Sequence, residues 1–247
     1  MIVRTVEQGF HSRKLARHFR GGREPMASPK KLIILGTGGN CVDILDTVNE
    51  INAHSKRPQY ECLGFLDDDQ QKWGQEIWGV PILGPLDSAP QYPDTYFVNG
   101  IGSARNFWKK EVIIAKTQVP LDRFETIVHP SASVSRMARL GKGVVVLQLV
   151  TITNQVSIGN HVIILPSAVI SHDVVIGDYT CITGGVCISG LVTIGRDCYL
   201  GTNSSISGGV QIGNGCLLGM GSVIRHDVPE NSVMVGNPAR FLRKTQA

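Results

Sequence analysis

From residue 126 onward the chain repeats every six positions. Stepping by six from Val128, every position through Ile224 is aliphatic, seventeen in a row. The residue two places before each is small or β-branched, from Thr126 through Ala132, Ala168, Thr180, Cys198, Ser204 and Cys216 to Ser222. One large and one small apolar position per six residues matches neither the 3.6-residue period of a helix nor a long alternating strand. It fits short strands joined by corners, each strand forming one side of a triangular prism. Three hexads make a coil of eighteen, and Gly141, Gly159, Gly177, Gly195 and Gly213 mark that longer period independently. We expect these glycines at a corner that needs their backbone freedom. The prism then runs for about five coils without an insertion, its parallel strands ~4.8 Å apart, so that residues eighteen apart become ladder neighbours.

Upstream the period changes to strand and helix alternation. Residues 31–35 (KLIIL) read as a buried strand, and the turn at Gly36, Gly38 and Gly39 leads into an amphipathic stretch with Val42, Leu45, Val48 and Ile51 on one side. Further strands are predicted over 60–66, 80–83, 96–101 and 124–128, with a helix over 103–116. This is a small Rossmann-like α/β domain over 30–125, followed by the prism over 126–228 and a C-terminal cap over 229–247. A glycine turn after a first strand can seat a phosphate at the next helix N-terminus, and acids ending the second strand, here Asp67 and Asp68, can bind a ribose or base. The turn lacks the full GxGxxG pattern, and a bare chain reversal explains it as well as a ligand does. Taken alone, this domain also admits an NAD-dependent dehydrogenase; the attached prism argues against one.

The formal charge of +4 changes meaning once it is divided along the chain. Residues 1–31 carry eight Lys/Arg against two acids, leaving sixteen against eighteen for the rest. The body is slightly acidic, which removes the electrostatic case for nucleic-acid binding. The basic segment 1–29 is expected to be a disordered tail, with Met26 a candidate start. No apolar run approaches the roughly 18 residues of a membrane span and no secretory signal pattern opens the chain, so a cytoplasmic protein is expected. The six cysteines form no CxxC pair, which favours reduced thiols.

Acyl transfer from a thioester needs a base for the attacking amine or hydroxyl and donors for the developing oxyanion. Of seven histidines, His161 and His172 lie within the prism, and His172 is followed by Asp173, an acid able to orient an imidazole. The ladder through His172 continues to Gly190, Gly208 and His226, an open strip where a ligand can approach the backbone. A parallel ladder of Gly184, Thr202, Met220 and Pro238 would flank the same groove. His161 has no such company and reads as structural.

Residues 32–40, 64–68 (GFLDD), 99–102 (NGIG), 128–130 (VHP), 171–173 (SHD) and 235–239 (VGNPA) resemble the bacterial sugar acetyltransferases that include sialic-acid O-acetyltransferases and bacillosamine-pathway N-acetyltransferases. The resemblance runs from about residue 30 to the end. It implies an α/β N-terminal Rossmann-like domain followed by a left-handed parallel β-helix of hexapeptide repeats, assembled as a homotrimer. It further implies acetyl-CoA as co-substrate, no metal, and a nucleotide-sugar or sugar as acceptor. His172 would be the general base with Asp173 behind it. Cys181, Gly190, Thr202, Met220, Gly236, Pro238 and Ala239 would line the CoA path, and Gly38, Gly39, Asn40, Asp67, Asp68 and Gly102 would face the nucleotide-sugar. Three positions depart from the pattern: Asn40 stands where many relatives have His, Asp173 where some have Glu, and Cys181 where the bacillosamine enzymes have a second His. N-acetylation of a nucleotide-linked amino sugar is the leading expectation and O-acetylation of a sugar hydroxyl the alternative. A trimeric metalloenzyme resembling carbonic anhydrase and a non-catalytic scaffold are the readings from other classes.

Overall fold

The computed structural model describes residues 28–245. Most of the basic tail therefore lies outside the described residues. The first domain is an open sheet in the order β3-β4-β2-β1-β5. Its central strand β1 (Lys30–Leu35) pairs in parallel with β2 (Tyr60–Leu66) on one side and β5 (Tyr96–Asn99) on the other. β4 (Val80–Gly84) lies beyond β2, and the short β3 (Glu76–Ile77) closes the edge antiparallel to it. Helix α1 (Gly39–His54) buries Cys41, Ile44, Leu45, Thr47, Val48 and Ile51, while Val42 sits half-buried at the border of that stripe.

Two predicted elements end early. β5 stops at Asn99 because that buried side chain folds back to accept from the Ile101 N–H at 3.0 Å and donate to its carbonyl at 3.1 Å. The helix predicted over 103–116 is reduced to α2 (Lys110–Ala115) after a 3₁₀ turn at Phe107–Lys109. Ser103 turns its N–H and hydroxyl onto Asn106 Oδ1 at 2.8 and 2.9 Å, a local alternative to helical bonding.

The second unit is a left-handed parallel β-helix. Its strands, β6 (Ile127–Val128) through β22 (Val223–Ile224), are two residues long and start every six residues. They stack into three sheets. The first face carries strands starting at Ile127, Val145, Ile163, Cys181, Tyr199 and Leu217; the second at Ser133, Thr151, Val169, Cys187, Ser205 and Val223; the third at Arg139, Ser157, Val175, Thr193 and Gln211. Both inward series of the hexad fill the interior, for example Ile164, Ile182 and Leu200 against Val162, Thr180 and Cys198. Two more strands, β23 (Ser232–Val235) and the antiparallel β24 (Arg240–Lys244), extend the first face.

The corner glycines serve a different purpose from the one expected. Gly141, Gly159, Gly177, Gly195 and Gly213 are not among the residues with positive φ. A Cβ on Gly177 would lie 2.5 Å from Arg196 N, and one on Gly195 would lie 2.7 Å from Asn214 N. Close approach of the next coil, not backbone angle, excludes side chains there. The left-handed angle falls at every sixth residue from Gly143 to Gly221, and side chains as large as Leu149, Tyr179 and Leu191 adopt it.

The domains are joined through the first face. The stripe of α1 packs on Ile127, Val145, Leu147, Ile163 and Cys181. Beside it His161 is buried, stacked on Tyr179 at 5.1 Å and edge-on to Phe124 at 4.5 Å, its Nδ1 without a hydrogen-bond partner among the described residues. Burial, with Lys110 nearby, pulls this imidazole down to about 4 from 6.5. Between those values the unfolded chain binds a proton that the folded one refuses, so stability falls as pH drops through that window, by about 3 kcal/mol at pH 4. His161→Phe should keep the stack and remove this share of acid sensitivity. Urea unfolding at neutral and acid pH checks it, and an unchanged acid loss would refute the assignment.

Candidate active site

An open parallel sheet forms a crevice beyond the carboxyl ends of its strands where consecutive connections leave in opposite directions. Here that point lies at the end of β1, since β2 pairs on one side of it and β5 on the other. A cavity of about 590 Å³ opens there. Gly38, Gly39 and Asn40 enter it from the start of α1, Asp67 and Asp68 from the end of β2, and Gly102 from the segment after β5. Its far wall is the first face of the prism, through Ile163, Leu165, Cys181, Thr183 and Tyr199. The six residues assigned to the nucleotide-sugar thus line one cavity, and Cys181, assigned to the CoA path, lines the same cavity.

The two acids are already engaged. Asp67 accepts from the Thr37 hydroxyl at 2.5 Å and the Asp69 N–H at 2.9 Å, with Lys72 3.8 Å away. Asp68 accepts from the Leu86 N–H at 3.0 Å and pairs with Lys116 at 2.6 Å. Burial works to raise the Asp68 carboxyl, but Lys116 and the Leu86 N–H outweigh it and hold it below the usual carboxylate value. Asn40 donates to the Gly102 carbonyl at 3.1 Å and so ties the start of α1 to the segment after β5.

His172 lies elsewhere. It sits at the corner between the second and third faces, the vertex opposite the face that walls the cavity. Its Nδ1 lies 2.8 Å from Asp173 Oδ2, and its side chain is 54% exposed. The carboxylate accepts from Nδ1–H, which leaves the lone pair on Nε2. The ring lies over Gly190, where a Cβ would stand 2.6 Å from Nε2. Leu191 N donates to His172 O and Gly209 N to Gly190 O, each at 3.0 Å, which sets His172, Gly190 and Gly208 in one ladder. Gly184, Thr202 and Met220 form the other ladder, on the corner between the first and second faces. Its continuation differs from the expected one. The last coil is cut short, pairing Leu217 with Val233 and Leu218 with Met234, sixteen residues apart. The ladder therefore passes from Met220 to Gly236, and Pro238 lies past it. Val223 donates to Gly236 O at 3.0 Å and accepts from Ala239 N at 2.9 Å, which folds this turn onto the second face.

Residues 155–190 and 192–226 match the family model described as bacterial transferase hexapeptide (six repeats), and residues 31–113 match the PglD N-terminal domain. The acetyltransferase domain of PglB from Neisseria gonorrhoeae superposes with a TM-score of 0.74 at 25% identity, over 86% of this chain and all of that one. A second structure of it contains acetyl coenzyme A. PerB from Caulobacter crescentus, in complex with CoA and GDP-perosamine, superposes with a TM-score of 0.76 at 25% identity, over 87% of this chain and 99% of that one. No curated protein matches the chain by sequence. The chain belongs to the bacterial sugar acetyltransferases of the hexapeptide-repeat superfamily.

Within this acetyltransferase the residue that the sequence did not single out is Lys110. It is fully buried, donates to the His161 carbonyl at 2.6 Å and lies 3.8 Å from Cys181 Sγ. Burial pulls its ammonium below the ordinary lysine value. Together with Glu111, which pairs with Arg196 at 2.5 Å, it ties α2 to the prism. The available signal is a lysine that opens the segment KEVIIA, in which Glu111 is the one other polar residue. Among the described residues no three His, Cys, Asp or Glu side chains are grouped to hold a metal ion, and no helix is long and apolar enough to cross a membrane.

Proposed function

We propose that this acetyltransferase moves the acetyl group of acetyl-CoA to the amino group of a nucleotide-linked amino sugar, as a cytoplasmic homotrimer. What carries the reading is the cavity at the sheet's switch point, which opens onto a hexapeptide prism bearing a carboxylate-held histidine. The acetyl-CoA complex of the PglB domain and the CoA and GDP-perosamine complex of PerB support it.

The nucleotide seats at Gly38, Gly39 and Asn40, where α1 begins without a side-chain cap and the residues of its first turn line the cavity. The sugar amine then lies toward Gly102 and Cys181. It attacks the thioester carbonyl as a neutral amine, and His172 Nε2 takes its proton as the C–N bond forms. The Gly190 N–H, which makes no backbone hydrogen bond among the described residues, stabilises the oxyanion. When the C–S bond breaks, the CoA thiolate leaves and recovers the proton from His172.

Within one chain the prism separates His172 from the cavity, so the base comes from a neighbouring subunit. Mixing two inactive parents, His172→Ala and Met220→Trp, should restore about one site in four by random assembly of trimers. No recovery in mixed trimers verified by mass spectrometry rejects the shared site. For the acceptor, thiol release from acetyl-CoA is measured against nucleotide-linked amino sugars and free sialic acid. Turnover with the amino sugars alone is expected; turnover confined to sialic acid overturns the reading.

A further inference from the structure

Two sulfurs stack inside the prism. Cys198 and Cys216 are the one pair of cysteines eighteen residues apart, the length of one coil. Strands β18 (Tyr199–Leu200) and β21 (Leu217–Leu218) pair with Tyr199 opposite Leu217, so the residues just before them are ladder neighbours. The Tyr199 N–H donates to the Cys216 carbonyl at 2.8 Å, and both cysteine side chains are fully buried. They fill the small inward position along one corner, which reads Val144, Val162, Thr180, Cys198 and Cys216 from coil to coil. The Thr180 hydroxyl donates to the Gly195 carbonyl at 3.0 Å, and the thiols repeat that bond one and two coils on, Cys198 to Gly213 O at 3.3 Å and Cys216 to Pro229 O at 3.2 Å. Packing and hydrogen bonding at this position accept Val or Thr, and neither demands sulfur twice in succession.

Ladder neighbours stand about 4.8 Å apart. That is within the Cα separation a disulfide spans, and two inward side chains on one ladder point the same way rather than apart. The two thiols interact directly, and contact with Cys198 lowers the Cys216 thiol against the opposing pull of burial. Cys216 is therefore the readier nucleophile. We propose that Cys198 and Cys216 are a redox modification site, which hydrogen peroxide closes to an intrachain disulfide. The Cys216 sulfur gives up its proton and attacks the O–O bond; it becomes a sulfenic acid, and the displaced hydroxide leaves with that proton as water. The Cys198 sulfur then attacks the sulfenic sulfur, and its own proton leaves with the displaced hydroxide as a second water. Two electrons pass from the sulfur pair to one peroxide. Neither sulfur meets solvent in the closed prism, so the oxidant enters when the coil carrying Cys216 parts from its neighbour. Cys187, the exposed cysteine, has Val169 and Ser205 for ladder neighbours and no sulfur to meet. Tyr199 belongs to the apolar cluster built on α1 and Leu217 does not, so the bond ties the last coil under the first domain to the coil beyond it.

The test treats the folded full-length protein with hydrogen peroxide, blocks the remaining thiols with iodoacetamide after denaturation, and reads the tryptic peptide 197–225, which holds these two cysteines and no other. The peptide should carry no alkyl group and be two hydrogens lighter, apart from oxygen taken up by the exposed Met220. Dithiothreitol should restore two alkylated cysteines while leaving methionine sulfoxide as it is. The oxidised protein should melt roughly 5 °C above the same sample after dithiothreitol, because the bond closes a loop of one coil. Cys216→Ser, a residue that the inward series already accepts at Ser204 and Ser222, should lose both the lighter peptide and the dithiothreitol-sensitive rise in Tm. Two alkylated cysteines after peroxide, or oxidation of Cys187 alone, overturns the proposal. So does a bond that forms only when peroxide is added in urea, or one that forms in the folded protein without raising Tm. If Cys216→Ser does not fold, the wild-type peptide mass and the drop in Tm on reduction still decide the matter.

Discussion

His172→Ala is expected to lower kcat at least about a hundredfold, with the proposed trimer intact and the affinity for CoA retained. In the proposed mechanism Nε2 would meet the substrate proton only as the C–N bond forms, so the loss should fall on kcat. The side chain is exposed, with Asp173 its one side-chain partner among the described residues, so its removal leaves no cavity and no buried orphan. Asp173→Asn should cost less, because the amide oxygen can still accept from Nδ1–H and hold the ring. Single-turnover measurements with saturating acetyl-CoA separate the chemical step from release. Near-normal turnover in His172→Ala would remove this residue from the mechanism.

Gly177→Ala should be the most damaging small substitution in the prism. The added methyl would stand 2.5 Å from Arg196 N and 2.6 Å from Gly195 C, both backbone atoms of the next coil that cannot swing aside. Overpacking of this kind costs about 3 kcal/mol, a fall of roughly 6–12 °C in Tm for a chain of this size. Gly184→Ala is the comparison, since its nearest atom would be Pro166 O at 3.3 Å, and it should cost under about 1 kcal/mol. Calorimetry on both variants checks the difference. Equal Tm values would mean that the coils can spread to admit a side chain.

The prism was legible because its constraint is local in sequence: each inward pair recurs after six residues whatever the rest of the chain does. The reason for Gly177 and its equivalents was not, since spacing marks a corner without saying whether backbone angle or a neighbouring coil demands glycine. Pro238 was misplaced because an eighteen-residue count cannot see the shortened last coil. On the first domain, the glycine turn and Asp67 and Asp68 were readable from their place after the strands, but not their partners Thr37, Leu86 and Lys116, which are distant in sequence. The prism wall of the cavity, Ile163, Thr183 and Tyr199, reads as ordinary outward hexad positions until the first domain docks. Lys110 is hidden for the same reason.

That docking also grades the molecule's resistance to local opening. Each coil of a β-helix touches only its neighbours, so an unsupported end can unravel alone. The first domain braces five successive strands of one face, from Ile127 to Tyr199. Amide hydrogens should therefore exchange first over residues 205–245, where the proposal places the far end of the donor groove, and last around the cavity at the end of β1. In the proposed arrangement donor binding would do more than supply an acetyl group: it would fasten the loose end of the spring, whereas the acceptor would enter a part of the molecule already held shut.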